Sequence, residues 1–590
     1  MSSRDLTDIV KAYDVRGLVP SQFDSDIAWA LGAAFAEVVA RPEGAAAVVV
    51  GHDMRASSPQ LSEAFAAGVR AAGIDTITIG LASTDGLYFA SGDLDLPGAM
   101  FTASHNPAQY NGIKLTRAGA RPVGQDSGLT AVRERAAAIV AAGRASVTAA
   151  RSGEASTRDL LADYGRFLRG LVDLSGIRPL KVVVDAANGM AGLTVPAVLG
   201  TDAGLPALPL DIVPLYFDLD GTFPNHEANP LDPANLVDLQ AAVVQHGADL
   251  GLAFDGDADR CFVVDERGEP VSPSAITGLV AAREIAKEVA AGVPAGEVRI
   301  VHNVISSAAV RELILAKGAV PVRTRVGHSF IKAEMASAGA VFGGEHSAHY
   351  YFREFWFADT GMLAAFHVLA ALGEQDGPLS DLVAEFSPYA ASGEINSTVA
   401  DVPAATARVR AWAASQGLPG EEMDGLTITH PATGEAPMWW LNLRASNTEP
   451  LLRLNVEAAD ADTMARVRDE VLALVRADAA PSPVATPSPV AAPAPAPAPD
   501  ANSTPSAQST ASASSTIAAG DGVAAGEGVA TGIEPWVREI LRCPACLATL
   551  TDIDDGHGPE LACTDASCGR IYPVTDAIPV LLIDEARTAS

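Results

Sequence analysis

The sequence predicts an α/β protein with three related α/β domains, a smaller α+β fourth domain, and a small metal-binding domain beyond a disordered linker. Three observations lead to this prediction. An apolar run followed by a polar loop and a helical stretch occurs three times. A long segment near residue 500 contains no aromatic residue, and four of the five cysteines follow it. A chain of 590 residues is long enough for several such domains.

Three apolar runs open the repeated units, at 47–50, 181–184 and 298–301. In the first unit, Ser58 and Pro59 predict a helix start, and the spacing of Leu61, Phe65 and Val69 predicts the buried face of that helix. A second apolar run follows at 75–79. Apolar strands that alternate with helices predict largely parallel sheets. The region from Pro388 to Arg476 lacks the pattern and is predicted to be a smaller α+β domain.

The composition changes between residues 480 and 532. The segment consists mainly of Ala, Pro, Ser, Thr, Gly and Val, and Asp500, Asp521 and Glu527 are its only charged residues. Such a stretch cannot bury enough apolar surface to order itself. We therefore predict six regions: 1–150, 151–262, 263–385 and 386–478 as domains, 479–535 as a disordered linker, and 536–590 as the C-terminal module.

Charge and hydropathy exclude several classes of function. The net charge is -32 and the pI is about 4.6, so we expect neither nucleic acid nor an anionic membrane as a partner. No run of about 18 apolar residues occurs, and the first 15 residues contain no signal-peptide core. Four clustered cysteines are more typical of a metal site in a reducing compartment than of a disulfide framework. We expect a cytoplasmic protein.

The acidic loop after the apolar run 250–254 is the most informative motif. Asp255, Asp257 and Asp259 alternate along it and can converge on one Mg²⁺, which favours phosphoryl chemistry. An EF-hand is a poor alternative, because Arg260 stands where that turn needs glycine. An aspartyl-phosphate phosphatase is a second alternative, but it usually has Thr or Val at the position of Asp259.

Three further loops contain residues suited to phosphate and sugar. In 102–107, Ser104 stands beside His105, with Lys114 further on, and is a candidate nucleophile or phosphoryl carrier. Segment 344–349 is rich in groups that bind sugar hydroxyls. Segment 444–450 and Arg453 suit a phosphate dianion. Taken singly, each of these loops also fits an ordinary polar turn.

In order and type, these motifs resemble those of the α-D-phosphohexomutase family, whose bacterial members act as phosphomannomutase and phosphoglucomutase. The resemblance extends from about residue 8 to residue 475. It implies four domains around a central cleft, with the phosphoserine on the first, the metal loop on the second, the sugar loop on the third and the phosphate loop on the fourth. The matching segments are 13–17, 102–107, 111–114, 255–260, 327–332, 344–349 and 444–448.

The resemblance also implies a mechanism. Ser104 would carry a phosphoryl group, and Mg²⁺ would bridge it to Asp255, Asp257 and Asp259. Transfer to a hexose phosphate would give a hexose 1,6-bisphosphate, which also serves as activator. Lys114 is a candidate base if its pKa is lowered, and His349 would serve the opposite substrate orientation. The remaining residues implied at the site are Arg16 and His105 near Ser104, and for substrate Arg260, Gly327, His328, Lys332, Glu345, Ser347, Arg444, Ser446, Asn447, Thr448 and Arg453.

The sugar loop resembles that of mannose-using members, so phosphomannomutase is the preferred activity, with glucose phosphates as further substrates. Phosphoglucomutase and phosphoglucosamine mutase are the alternatives. Phosphoglucosamine mutases usually have glutamine where His346 stands, which argues against that branch. Ala348 departs from the family, in which glycine is common at this position.

The C-terminal module contains Cys543, Cys546, Cys563 and Cys568 in a Cys-x2-Cys and Cys-x4-Cys arrangement. Four thiolates predict a closed structural Zn²⁺ site. The segments 541–546, 572–582 and 584–587 resemble the Trm112-like family, whose members bind protein partners, notably methyltransferases. A methyltransferase-binding adaptor with a degenerate mutase body is therefore the alternative to an enzyme.

Overall fold

The computed structural model describes residues 6–434, 436–445, 451–477, 541–546, 548–553, 560–565, 568–575, 578–579 and 586–588. The chain forms two compact units, Met1–Ala485 and Thr486–Ser590. The predicted linker, 479–535, lies outside the described residues. Within those residues, no helix is both long enough and apolar enough to cross a membrane.

The first domain is a seven-stranded sheet with helices packed against it. Its elements are β1 (Val15–Leu18), α1 (Ser25–Phe35), β2 (Ala47–His52), α2 (Ser58–Ala71), β3 (Asp75–Leu81), α3 (Thr84–Leu94), β4 (Gly98–Phe101), β5 (Tyr110–Arg117), β6 (Arg121–Pro122), α4 (Leu129–Ala142) and β7 (Ala155–Thr157). Helix α2 begins at Ser58 as predicted, and Leu61, Phe65 and Val69 are buried. The Ser58 hydroxyl does not cap the helix, because it donates to Asp53 Oδ1 at 2.6 Å.

The second and third domains each contain a five-stranded sheet. The elements of the second are α5 (Leu161–Leu171), β8 (Leu180–Asp185), α6 (Ala191–Val198), β9 (Leu210–Leu215), α7 (Val237–His246), β10 (Leu250–Phe254), β11 (Cys261–Asp265) and β12 (Pro270–Val271). Those of the third are α8 (Pro273–Ala290), β13 (Arg299–Asn303), α9 (Ala308–Ala316), β14 (Val320–Thr324), α10 (His328–Ala338), β15 (Phe342–Gly344), β16 (Tyr350–Phe352), β17 (Ala358–Asp359), α11 (Gly361–Gly373) and α12 (Leu379–Ala384).

The three domains share one strand order, which confirms the predicted repeat. The orders are β3-β2-β4-β5, β9-β8-β10-β11 and β14-β13-β15-β16. In each, the first three strands are parallel and the fourth is antiparallel to its neighbour. The sheets are therefore mixed, not largely parallel as predicted. A short loop can join only antiparallel neighbours, whereas parallel strands need a long crossover.

The fourth domain has the predicted α+β architecture. Its sheet order is β18-β22-β21-β20-β19, and every pair is antiparallel. Its elements are β18 (Ala390–Thr398), α13 (Val402–Ser415), β19 (Gly420–Glu421), β20 (Leu426–His430), β21 (Trp439–Ala445), β22 (Leu451–Ala458) and α14 (Ala461–Val475). The helices and the sheet bury a core of their own, which includes Val409, Leu441, Leu454 and Val471.

Unlike the fourth domain, whose core is its own, the first three domains share an apolar cluster. One continuous apolar cluster includes Leu87 of the first domain, Leu252 of the second and Phe366 of the third. By contrast, polar contacts join the third domain to the fourth. Arg323 Nη1 lies 2.5 Å from Glu421 Oε2, the Val326 amide donates to Asp424 Oδ2 at 2.9 Å, and the Ala308 amide donates to Glu457 Oε2 at 2.9 Å.

The second unit is a small sheet. Its described strands are β23 (Leu550–Ile553), β24 (Glu560–Cys563), β25 (Arg570–Thr575), β26 (Ile578–Pro579) and β27 (Arg587–Thr588). Cys543, Leu550, Leu561, Tyr572 and Val574 form its buried cluster. A core of this size rarely stabilises a domain without a metal or a covalent link.

Helices α1 and α2 cross at two glycines. A Cβ atom at Gly68 would lie 2.0 Å from the carbonyl oxygen of Trp29, and one at Gly32 would lie 2.1 Å from that of Phe65. The helices can therefore approach this closely only because neither position carries a side chain.

We predict that Gly68→Ala destabilises the first domain by about 1–3 kcal/mol, because the two backbones must separate. Gly170→Ala is the matched control, since Gly170 lies on helix α5 with nothing within 4 Å of its would-be Cβ. That change should stabilise by about 0.5–1 kcal/mol. Urea unfolding followed by circular dichroism measures both. Equal effects of the two changes would contradict the close crossing.

Candidate active site

The loops between the third and fourth strands of the three repeats meet at one place. They contain Ser104 in the first domain, Asp255 to Arg260 in the second, and Glu345 to His349 in the third. Ser104 Oγ donates to Asp255 Oδ2 at 2.8 Å, and an isolated β-bridge pairs Arg260 with His349. The repeated topology thus places three of the predicted motifs at equivalent positions in their domains and in contact with one another.

Ser104 is buried and has a φ of 50°, the left-handed region that a serine rarely adopts. Its amide donates to Thr102 Oγ1 at 2.9 Å. Strain of this kind persists only where surrounding contacts impose it, and it is concentrated at functional positions. The conformation directs the Ser104 hydroxyl at the acidic loop.

Asp255, Asp257 and Asp259 are 0–1% exposed, and one carboxylate oxygen from each lies within 4.8 Å of the others. Strand β10, buried at all five positions, leads directly into them. Within the described part of the chain, Asp257 Oδ1 and Asp259 Oδ1 have no hydrogen-bond partner. Clustered carboxylates with unshared oxygens suit a hard cation such as Mg²⁺, so the residues present fit this ion.

Lys114 neutralises part of this charge. Its Nζ donates to Asp257 Oδ2 at 2.7 Å and to Asp259 Oδ2 at 2.5 Å. Burial alone would lower the pKa of Lys114, but the two carboxylates outweigh it and hold the pKa well above the ordinary value. A lowered pKa, the condition under which Lys114 would act as a base, is therefore not met in this structure, because carboxylates rather than cations surround the ammonium.

The pKa values of Asp255 and Asp257 are shifted in opposite directions. Burial and the charges of Asp259 and Asp257 raise the pKa of Asp255 to about 7, against the opposing effect of Arg260. The pKa of Asp257 is far below its ordinary value despite burial, because Lys114 and a 2.6 Å hydrogen bond from Thr84 Oγ1 stabilise the charged form.

Arg260 contacts both Asp255 and His105, and it helps to keep His105 in its neutral form. Its Nε donates to Asp255 Oδ2 at 2.9 Å, and its Nη2 donates to His105 Nδ1 at 2.7 Å. Burial, Arg260 and Arg16 hold the pKa of His105 well below the ordinary value. His105 is therefore neutral with its Nδ1 lone pair already engaged, and the Ser104 hydroxyl donates to Asp255. Arg16 bonds to Asp14 Oδ2 at 2.6 Å and to Asn106 Oδ1.

In the sugar loop, Glu345 is buried and accepts from the Tyr351 hydroxyl at 2.7 Å, the Gly327 amide at 3.0 Å and Asn303 Nδ2 at 3.2 Å. These donors come from three separate segments and fix the carboxylate in one orientation. Gly327 thus lies against the sugar loop.

The other half of the loop faces the acidic cluster. Ser347 Oγ lies 3.1 Å from His349 Nδ1, and His349 Nε2 lies 3.7 Å from Asp259 Oδ1. Ala348 has a φ of 63°. That conformation favours glycine, which explains in physical terms why a glycine suits this position.

Lys332 is enclosed by protein groups. Its side chain is 3% exposed, with Nζ 2.5 Å from Asp359 Oδ1 and 4.1 Å from the centre of the Tyr88 ring. The structure therefore pairs this ammonium with Asp359. The side chain of His328 lies outside the described residues.

Arg444 and Arg453 are directly opposite on strands β21 and β22. Like charges in this arrangement repel. Each lies 3.3 Å from an oxygen of Glu394, which bridges them. Two adjacent guanidinium groups sharing one carboxylate are suited to an anion. Ser446, Asn447 and Thr448 lie outside the described residues.

Sequence reasoning missed two side chains at the site. Asp359 offers a carboxylate oxygen within 4.8 Å of ligand atoms of Asp259 and His349, and Thr84 bonds to Asp257. Asp359 follows an aromatic-rich stretch and precedes Thr360, the cap of helix α11. A carboxylate at a strand end before a capped helix was the only local signal, and for Thr84 the sequence contains none.

Comparison with known proteins agrees with this geometry. Profiles described as phosphoglucomutase/phosphomannomutase α/β/α domains I, II and III match residues 7–141, 162–268 and 273–389, and the profile of the C-terminal domain matches 394–474. "Phosphohexose mutases" of Xanthomonas campestris pv. campestris is 42% identical over 469 residues, which cover 79% of this chain and 98% of that protein. The chain belongs to the phosphoglucomutase/phosphomannomutase family.

Two further members of the family are similar. A phosphomannomutase of Salmonella typhimurium is 39% identical over 457 residues, 76% of this chain and 94% of that protein. The crystal structure of a phosphoglucomutase/phosphomannomutase family protein from Burkholderia thailandensis superposes with a TM-score of 0.68 at 31% identity. It covers 80% of this chain and 97% of that one. The predicted four-domain family fold is confirmed.

We predict that Lys114→Met raises the affinity for Mg²⁺ at least about tenfold, because the ammonium no longer competes for the carboxylate oxygens. Asp257→Asn should lower the affinity. Isothermal titration calorimetry with MgCl₂ measures both, and Lys181→Met, a substitution of an exposed lysine of the second domain, is the control. Unchanged or weaker Mg²⁺ binding by Lys114→Met would show that the ion binds elsewhere.

Proposed function

We propose that this chain is a phosphomannomutase that interconverts mannose 6-phosphate and mannose 1-phosphate, and also accepts glucose phosphates, through phosphorylated Ser104 and a hexose 1,6-bisphosphate. Family membership and 38–39% identity to phosphomannomutases make it an intramolecular phosphotransferase. The observation on which the proposal depends is the 2.8 Å contact between Ser104 Oγ and the buried acidic loop.

The residues around Ser104 suit phosphoryl transfer. Such transfer requires alignment and neutralisation of oxygen charge more than covalent chemistry. Asp255, Asp257 and Asp259 would hold Mg²⁺, which when bound neutralises phosphoryl oxygens. Asp255 orients the Ser104 oxygen by accepting its hydrogen bond. Lys114 and Arg260 bring positive charge to the carboxylates of the acidic loop.

The other loops would bind the rest of the substrate. Glu345 and Ser347 suit the sugar hydroxyls, and Arg444 with Arg453 suits the phosphate that is not being transferred. Lys114 on one side and His349 on the other are the candidates for moving the hydroxyl proton. Because the fourth domain has its own core and polar contacts with the third, it can close over the substrate and exclude water.

We predict that the purified protein, with Mg²⁺ and trace glucose 1,6-bisphosphate, turns over both mannose 1-phosphate and glucose 1-phosphate, with the higher kcat/KM for mannose 1-phosphate. Ser104→Ala should lower turnover at least roughly a thousandfold, because the carrier oxygen is lost. A coupled assay for the 6-phosphates measures both effects.

The exposed Ser152, on the same domain, gives the control, and Ser152→Ala should retain full turnover. A higher kcat/KM for glucose 1-phosphate would make the chain a phosphoglucomutase. Inertness of wild-type protein carrying phosphoserine towards both sugars would reject a mutase, as would full turnover by Ser104→Ala.

We further propose a structural Zn²⁺ site in the C-terminal module. The thiol sulfurs of Cys543, Cys546, Cys563 and Cys568 lie within 4.8 Å of one another. Four such ligands fill a tetrahedral zinc site and leave no position for catalysis. Tyr572 also contacts this cluster. Its hydroxyl lies 3.1 Å from Cys543 Sγ and is suited to donate a hydrogen bond to a thiolate. A closed site suits an adaptor that binds a protein partner such as a methyltransferase.

We predict one Zn²⁺ per chain by elemental analysis, and loss of that ion in Cys546→Ser. The control is Cys261→Ala, at a buried thiol of the second domain, which should retain the ion. A chain truncated after residue 479 should retain full mutase turnover. Absence of zinc from protein purified without chelator, or zinc retained by Cys546→Ser, would contradict the site.

A further inference from the structure

Arg55 lies just beyond the carboxyl end of strand β2 and is 1% exposed. It ends the segment 51–55, which runs from the last two residues of strand β2 into the following loop and to which the proposed reaction gives no role. A fully buried arginine is unusual, because taking the guanidinium from water is costly unless its donors are paired. The hydrogen-bond partners of the Arg55 guanidinium therefore indicate the role of this residue.

All five N–H donors of the guanidinium have an acceptor. Nε donates to Asp53 Oδ2 at 3.2 Å. The other four bonds end on main-chain carbonyls between Ser104 and the first residue of strand β5: Ser104 at 2.8 Å, Asn106 at 2.7 Å, Pro107 at 2.9 Å and Tyr110 at 3.2 Å. One side chain thus holds the whole turn that contains the candidate phosphoryl carrier.

Arg55 is itself held from two sides. Asp53 accepts from the Arg55 amide at 3.0 Å as well as from Nε. The second domain packs against the opposite side. The Phe223 ring centre lies 5.1 Å from Arg55 Cζ, and a Cβ at Gly221 would lie 2.7 Å from Arg55 Cα. The guanidinium is therefore fixed relative to both the first domain and the domain that contains the acidic loop.

We propose that Arg55 is the positioning residue of the phosphoryl carrier. It holds the Ser104 loop so that the strained Ser104 directs its oxygen at Asp255. Only a planar fork with five donors can satisfy four converging carbonyls and a carboxylate, and a lysine offers three donors from a single atom. This inference rests on the proposed mutase function.

The proposal predicts an effect on the rate of phosphoryl transfer but not on substrate binding. Apart from Arg260, the predicted sugar and phosphate contacts belong to the third and fourth domains, which Arg55 does not touch through any described hydrogen bond or ion pair. Displacement of Ser104 by about 1 Å should slow transfer about a hundredfold without weakening substrate binding, because transfer requires close alignment of the reacting atoms. A purely structural role would instead lower the melting temperature and affect all kinetic constants together.

The test compares Arg55→Lys with wild type in the mutase assay. We expect kcat to fall about a hundredfold with KM for mannose 1-phosphate within twofold, and slower phosphorylation of Ser104 by glucose 1,6-bisphosphate, read by intact mass. Arg70→Lys is the control, because Arg70 lies on helix α2 of the same domain, bonded to Glu63 and Thr76, and should leave kcat unchanged.

An inert wild type would reject the proposed function and, because it rests on that function, this inference as well. An active wild type with kcat of Arg55→Lys within threefold would overturn the inference, as would a fall in kcat with an equal rise in KM. If Arg55→Lys gives no cooperative melt, Phe223→Leu decides, since it removes the ring beneath the guanidinium and leaves every hydrogen bond in place. We then expect kcat to fall about threefold at unchanged KM. An unchanged kcat would overturn the inference.

Discussion

The burial of three carboxylates in one six-residue loop is the constraint on which the rest of the structure depends. Asp255, Asp257 and Asp259 repel one another, and burial removes the water that would screen them. Two cations compensate for this charge. Arg260 comes from the same loop, but Lys114 comes from the first domain. The acidic loop is therefore stable only while the first two domains are packed together.

Repetition of one topology explains how distant segments come to share a site. In each of the first three domains, a tight loop joins the third, parallel strand to an antiparallel fourth, and these loops contain the serine, the carboxylates and the sugar-loop residues. A continuous apolar core fixes the domains relative to one another. Equivalent loops in fixed domains then meet without any long connecting segment.

Most features that lie within a single loop could be predicted from the sequence. The repeat, the acidic cluster, Ser104 and Glu345 could be found because the residues that act together are close in the chain. Interactions between domains could not be found in this way. Nothing near Lys114 in the chain shows that two carboxylates of another domain surround it, so the direction of its pKa shift could not be predicted from the sequence. The pairing of Lys332 with Asp359 and the fork of Arg55 likewise depend on tertiary packing. The antiparallel fourth strands were missed because burial on both faces gives parallel and antiparallel strands the same pattern.

The boundary between the third and fourth domains differs in kind from the other boundaries. Its described contacts include the ion pair of Arg323 with Glu421 and hydrogen bonds to Asp424 and Glu457. Dissolved salt screens partly exposed charges but scarcely affects apolar packing. Dissolved salt should therefore weaken the ion pair at this boundary, while the architecture of the three-domain block stays the same. If the fourth domain closes over the substrate as proposed, a reaction intermediate would be retained for a time set partly by the medium and not by the protein alone.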